Sequence, residues 1–193
     1  SSLKRSLAFH PNTGVAALVR KIDRELAGDK SGRVTYGTRF VLRYEDQSLS
    51  PADARRVRDA FESVVSRISF QLGCESAERV TVILQSGENF RNTTGSAKWS
   101  GGSYDGKIRI VLGEGGIVDD QVRRSLSHEF VHACLTRRGS WPGWFHEGVA
   151  QHLSGGRLTR ENHALLKQAH EANGLPKLNE LGIALRSMHS SQA

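Results

Sequence analysis

The spacing of apolar residues along this chain changes several times, and each change marks an element. In residues 13–27, Val15, Leu18, Val19, Ile22 and Leu26 recur at helical spacing. The preceding "SLAFHPN" reads as a helix end followed by a Pro-Asn break. A polar break from Gly28 to Gly32 leads to residues 39–45, where Phe40, Leu42 and Tyr44 alternate as in a strand. Next comes a long helix: Ser50 suits the N-cap, Pro51 the first turn, and Gly73 the position past the end. Ala54, Val57, Phe61, Val64, Val65, Ile68 and Leu72 form its apolar stripe. "RVTVILQ" (79–85) predicts a second strand and "KIRIVL" (107–112) a third. In the third, Ile108, Ile110 and Leu112 point inward, while Lys107, Arg109 and Val111 give a mixed outer face that predicts an edge strand. The Gly-, Ser- and Asn-rich stretch from Ser86 to Gly106 is expected to be mostly loop.

From Asp119 the pattern turns helical. Asp119 caps a helix running to about Arg138, which Gly139 and Pro142 stop. A second helix covers about 143–153, and a third begins after Thr159 and closes near Gly174. A strand-and-helix half followed by a helical half predicts an α+β fold. The domain reading is an N-terminal helical segment over 1–30 and a second domain over 31–193.

At 193 residues the chain is long enough to bury a core. No apolar run reaches the length needed to span a bilayer. The first residues lack an initiator Met and an apolar leader, so a fragment or a processed chain is expected. The net charge of +7 comes from scattered pairs and triplets such as Arg55, Arg56 and Arg58. Nucleic-acid binding would call for a basic stripe with interleaved aromatics, so it is not expected, and solvated helix faces account for the charge. Two cysteines, Cys74 and Cys134, are too few for a disulfide framework or a cysteine-based zinc site. Cys134 is expected to act as a small buried hydrophobe.

"SLSHEFVHACL" carries the candidate chemistry. On a helix His128 and His132 lie about 40° apart and one turn along, so both imidazoles can reach one zinc ion. Glu129 stands beside them, within reach of a water at such an ion. Leu126, Phe130, Ala133 and Cys134 cluster on the opposite face, so the helix can bury its back while its front lines a cleft. A catalytic zinc needs a third protein ligand and an open position. The metzincin extension is excluded, because Leu135 and Arg138 stand where it needs a glycine and a histidine. "WPGWFHEGVAQHLSG" (141–155) offers His146, Glu147 and His152 on a second helix, with Gly148 expected to let that helix approach another backbone.

His128-Glu129-x-x-His132 followed by Trp144-Phe145-His146-Glu147-Gly148-Val149-Ala150 resembles the gluzincin metallopeptidases, and is most similar to the peptidase MA-like group often attached to tetratricopeptide repeats. Phe145 departs from that pattern, being aromatic where an aliphatic is usual. The resemblance implies a zincin-like fold, with a small mixed sheet and an active-site helix followed by a helical subdomain. It implies Glu147 as the third zinc ligand, with His146 at a variable position facing away and His152 outside the set. The N-terminal "SLAFHPN" junction resembles the end of a tetratricopeptide array and would offer a surface for a protein partner; a plain helix fits it equally well.

The implied activity is hydrolysis of peptide bonds in a peptide or protein substrate, with zinc activating water and Glu129 as general base. Gln151 stands where related enzymes carry an acidic residue behind a ligand. The "KIRIVL" strand is the expected peptide-binding edge. Gluzincins generally supply an oxyanion donor downstream of the third ligand. Here Tyr36, Tyr44 and Tyr104 are all upstream, and His152, His163, His170 and His189 have no motif to recommend them. A zinc-retaining peptide- or protein-binding module with little catalysis is the competing expectation. A DNA-associated metalloprotease fits less well, since that class uses a third histidine.

Overall fold

The computed structural model describes residues 32–45, 49–74, 78–94, 101–112, 117–178 and 180–181, with five positions further upstream, Val15, Ala16, Val19, Ile22 and Asp23. Those five are helical, as the 13–27 pattern predicts. The rest of the N-terminal segment, including the tetratricopeptide-like junction, and residues 182–193 lie outside the described residues.

Among the described residues from Gly32 on, ten elements follow in order: β1 (Gly32–Tyr36), β2 (Phe40–Glu45), α1 (Pro51–Leu72), β3 (Val80–Gln85), α2 (Gly87–Thr94), β4 (Gly102–Tyr104), β5 (Ile108–Val111), α3 (Asp120–Arg138), α4 (Gly143–Leu153) and α5 (Arg160–Glu171). This is a mixed α+β fold. The five strands form one sheet in the order β1-β2-β3-β5-β4. The three central strands are parallel, and the outer two pair antiparallel with their neighbours.

Strand register brings the inward residues side by side. Phe40 pairs with Val80, Leu42 with Val82, Tyr44 with Leu84, and Val82 and Leu84 pair in turn with Ile108 and Ile110. All are buried in one cluster with Val57, Phe61, Val65 and Ile68 of α1 and Val122, Leu126, Phe130 and Ala133 of α3. The two helices thus cover one sheet face, each burying the stripe its sequence shows.

Caps and clamps fix both helices along their length. Ser50 Oγ accepts from Asp53 N at 3.1 Å, and Gly73 ends α1 at φ 61°, a conformation that favours glycine. Asp119 Oδ1 accepts from Val122 N at 2.8 Å at the start of α3. At the other end of α3, Arg138 Nη1 donates to the carbonyls of Leu72 and Gly73 at 2.7 and 2.9 Å, a cation at the carbonyl end of α1. A disulfide joins Cys74 to Cys134 with the Cα atoms 5.6 Å apart. Cys134 does face the core as expected, but it is a cross-link and not merely a small hydrophobe.

Three further expectations are corrected. β1 lies just past the polar break of Gly28 to Gly32, where no element was read; Val34 and Tyr36 are exposed there, so no buried alternation announces the strand. The stretch from Ser86 to Gly106 holds α2 and β4, with residues 95–100 outside the described set. α2 buries one apolar residue, Phe90, and β4 has three residues, too few for periodicity in either case. Finally, β5 is internal, and β4 takes the margin. Arg109, read as part of the outer face of an edge strand, is 1% exposed and ion-pairs with Asp105 at 2.5 Å.

The cross-link closes a 60-residue span holding β3, α2, β4, β5 and most of α3. A Cys74→Ser/Cys134→Ser double variant is expected to lose about 4 kcal/mol of unfolding free energy on chain-entropy grounds. Urea melts under non-reducing conditions measure it. An unchanged midpoint would show that the bridge adds nothing to the packing of α1 on α3.

Candidate metal centre

With the back of α3 buried, its phase decides what the front presents. Leu126, Phe130, Ala133 and Cys134 are buried, as the pattern predicts. His128 and His132 then emerge toward α4, whose Ala150 is fully buried. Trp141 stacks on Phe145 at 5.1 Å between ring centres, and Trp144 meets Phe145 edge-on at 5.9 Å, which fixes the first turn of α4. One turn later Glu147 faces the two histidines. Gly148 makes no close approach, since a Cβ there would meet nothing within 4 Å.

Four atoms converge between the two helices. His128 Nε2 and His132 Nε2 are 3.1 Å apart. Glu147 Oε2 lies 3.4 Å from the first, and Glu147 Oε1 lies 3.5 Å from the second. Ligands at about 2.0–2.1 Å from a tetrahedral zinc ion would sit roughly 3.3–3.4 Å from one another. The two imidazole nitrogens lie near that spacing and Glu147 turns one oxygen toward each of them, so two imidazoles and one carboxylate are donors of the kind that hold a zinc ion. The structure brings together His128, His132 and Glu147, with ligand atoms within 4.8 Å of one another. It leaves out His152, exposed and roughly 140° round the helix from Glu147. Gln151 is also exposed, and its backbone carbonyl accepts from Ser154 Oγ.

Electrostatics differ sharply among neighbours. Burial pushes the Glu129 carboxyl up to about 7; the Glu147 charge adds to this and His128 opposes it. Burial, with help from His128 and His146, brings His132 down to about 4 against the pull of Glu147. Burial also works to lower His128, but the hydrogen bond it donates to Glu147 and the charges of Glu129 and Glu147 leave it above its ordinary value. His132 is thus held neutral, the state in which an imidazole ligates.

Three contributors were not legible in the sequence. Arg67 of α1 donates from Nη2 to Ser127 Oγ and from Nη1 to the Leu153 carbonyl, both at 3.1 Å. It thereby ties the residue before His128 to the end of α4, though its sequence context reads as an ordinary helix charge. Gly102 of β4 lies against Glu129: a Cβ there would come 2.9 Å from Glu129 Cγ and 3.2 Å from its Oε1. His146, expected to face away, instead puts its Nδ1 3.4 Å from His132 Nδ1. β4 and α4 therefore flank the front of α3 on opposite sides, one against Glu129 and the other against the histidines.

No family model, curated protein or solved structure matches this chain.

The Gly102 contact is open to a direct check. Gly102→Ala puts a methyl group into buried Glu129 Cγ and Ile110 Cδ1. Overpacking of this kind is expected to cost about 1–3 kcal/mol of stability. Chemical denaturation of Gly102→Ala beside Gly143→Ala, whose Cβ would meet nothing within 4 Å and whose backbone is not in the left-handed region, separates the contact from the general effect of losing a glycine.

Proposed function

We propose that this chain is a zinc-dependent peptidase of gluzincin type, with a zincin-like fold. The observation carrying the reading is the convergence of His128, His132 and Glu147, with donor atoms within 4.8 Å of one another, beside a buried Glu129. The resemblance of the two helix motifs to gluzincins agrees with it. His128 and His132 would hold the metal through Nε2 and Glu147 through its carboxylate. Bound there, zinc supplies a water nucleophile near neutral pH and polarises a carbonyl.

The chain's own residues do the rest. Glu129, on the β4 side of the histidines, takes a proton at its carboxylate as water attacks and delivers it to the leaving amine. Its burial raises proton affinity toward the working range of a base at neutral pH. A substrate peptide lies alongside β4, the marginal strand of the sheet, whose Gly102 packs directly against Glu129. Tyr104 lies two residues on and shares the Gly102 face of the strand, which makes it the first residue to substitute in a search for the oxyanion donor.

Two substitutions separate binding from chemistry. Glu147→Ala is expected to empty the site or weaken it greatly, whereas His152→Ala leaves one zinc per chain; elemental analysis after dialysis reads both. If the pattern is reversed, the ligand assignment falls. Glu129→Gln is expected to retain zinc and lose about two to four orders of magnitude in peptide turnover. A wild-type chain that binds zinc and holds peptides without cleaving any member of a diverse library would instead be a binding module.

A further inference from the structure

An imidazole that ligates through Nε2 carries its remaining proton on Nδ1, and that N–H needs an acceptor to fix both tautomer and ring orientation. His128 and His132 both turn Nε2 toward Glu147. The partner at His132 Nδ1 is another imidazole, His146, with its Nδ1 3.4 Å away. The two rings are 20° from parallel and their centres are 5.6 Å apart. That separation exceeds the nitrogen–nitrogen distance by about two ring radii, so the rings lie edge to edge and nearly coplanar. This is the arrangement in which an imidazole N–H points along the lone pair of its neighbour.

We propose that His146 is a positioning residue of the metal centre, accepting the Nδ1–H of His132 and so holding His132 Nε2 on the metal. The inference rests on zinc binding through His128, His132 and Glu147. Consecutive residues of α4 then clasp the two ends of one ring: Glu147 meets its Nε2 edge and His146 its Nδ1 edge. Successive helix positions are about 100° apart, which lets neighbours on one turn address opposite edges of a ring between them. The His146 backbone N–H is bound to the Pro142 carbonyl at 3.2 Å, and the Trp141–Phe145 stack sits one residue away. His146 is therefore on a pinned turn, as a residue must be if it is to orient another. It is not itself a ligand in this arrangement, because it lies on the side of His132 away from Nε2.

Zinc affinity by chelator competition, and the visible spectrum of the cobalt-substituted protein, test this without relying on turnover. His146→Ala is expected to weaken zinc by about 10- to 100-fold, the usual effect of removing such a partner, and to alter the cobalt bands. His146→Asn, whose side-chain oxygen can accept where Nδ1 does, is expected to recover most of the affinity and the wild-type spectrum. Thermal melts of the metal-free variants check that each folds. If His146→Ala binds zinc as wild type does, or if Asn and Ala are equally impaired while both fold, the positioning role is overturned and the ligand set stands. If His146→Ala abolishes binding while Glu147→Ala does not, both the positioning role and the ligand assignment are overturned.

Discussion

One constraint governs the centre: α3 must be buried along its back and held in phase, or its two histidines do not face the same point. Leu126, Phe130 and Ala133 supply the burial against the sheet. Phase is held from the α1 side by Arg67 on Ser127, by the Cys74–Cys134 bridge and by Arg138 on the end of α1. These contacts are spread over three turns of α3, so rotation of the helix is opposed along its length. The same Arg67 reaches Leu153, so α4 is set by the anchor that sets α3.

From that constraint the functional asymmetry follows. One side of α3 meets β4 and carries Glu129, which burial keeps high in proton affinity. The other meets α4 and carries imidazoles, one of them kept neutral by burial. A buried carboxyl and two imidazoles that could hold a metal are thus separated by less than a helical turn, yet lie in different environments. Such divergence between adjacent titratable groups is the usual sign of divided chemical roles.

Much of this was legible in the sequence, for identifiable reasons. The long stripes of α1 and α3 and the alternation of β2 and β3 bury apolar residues periodically, so pattern alone locates them. The clustering of His128, His132 and Glu147 was legible because two motifs fix these residues within single helices. β1, α2 and β4 were not, since each buries too little apolar surface to leave a period. The position of β5 inside the sheet depended on β4 and was lost with it. Arg67, Gly102 and His146 matter through tertiary contacts between elements distant in sequence, and the disulfide joins residues 60 apart. No local pattern encodes these. The gluzincin resemblance placed His146 at a variable position, and only the packing of α4 on α3 shows where its ring points.

Zinc K-edge absorption spectroscopy of the zinc-loaded wild-type protein tests the account most directly, because it reads the ligands themselves. The account predicts a four-coordinate shell of nitrogen and oxygen at about 2.0–2.1 Å, with the outer-shell scattering of two imidazoles and no sulfur. Scattering from three imidazoles, or a shell at about 2.3 Å from sulfur, would contradict a centre built on His128, His132 and Glu147.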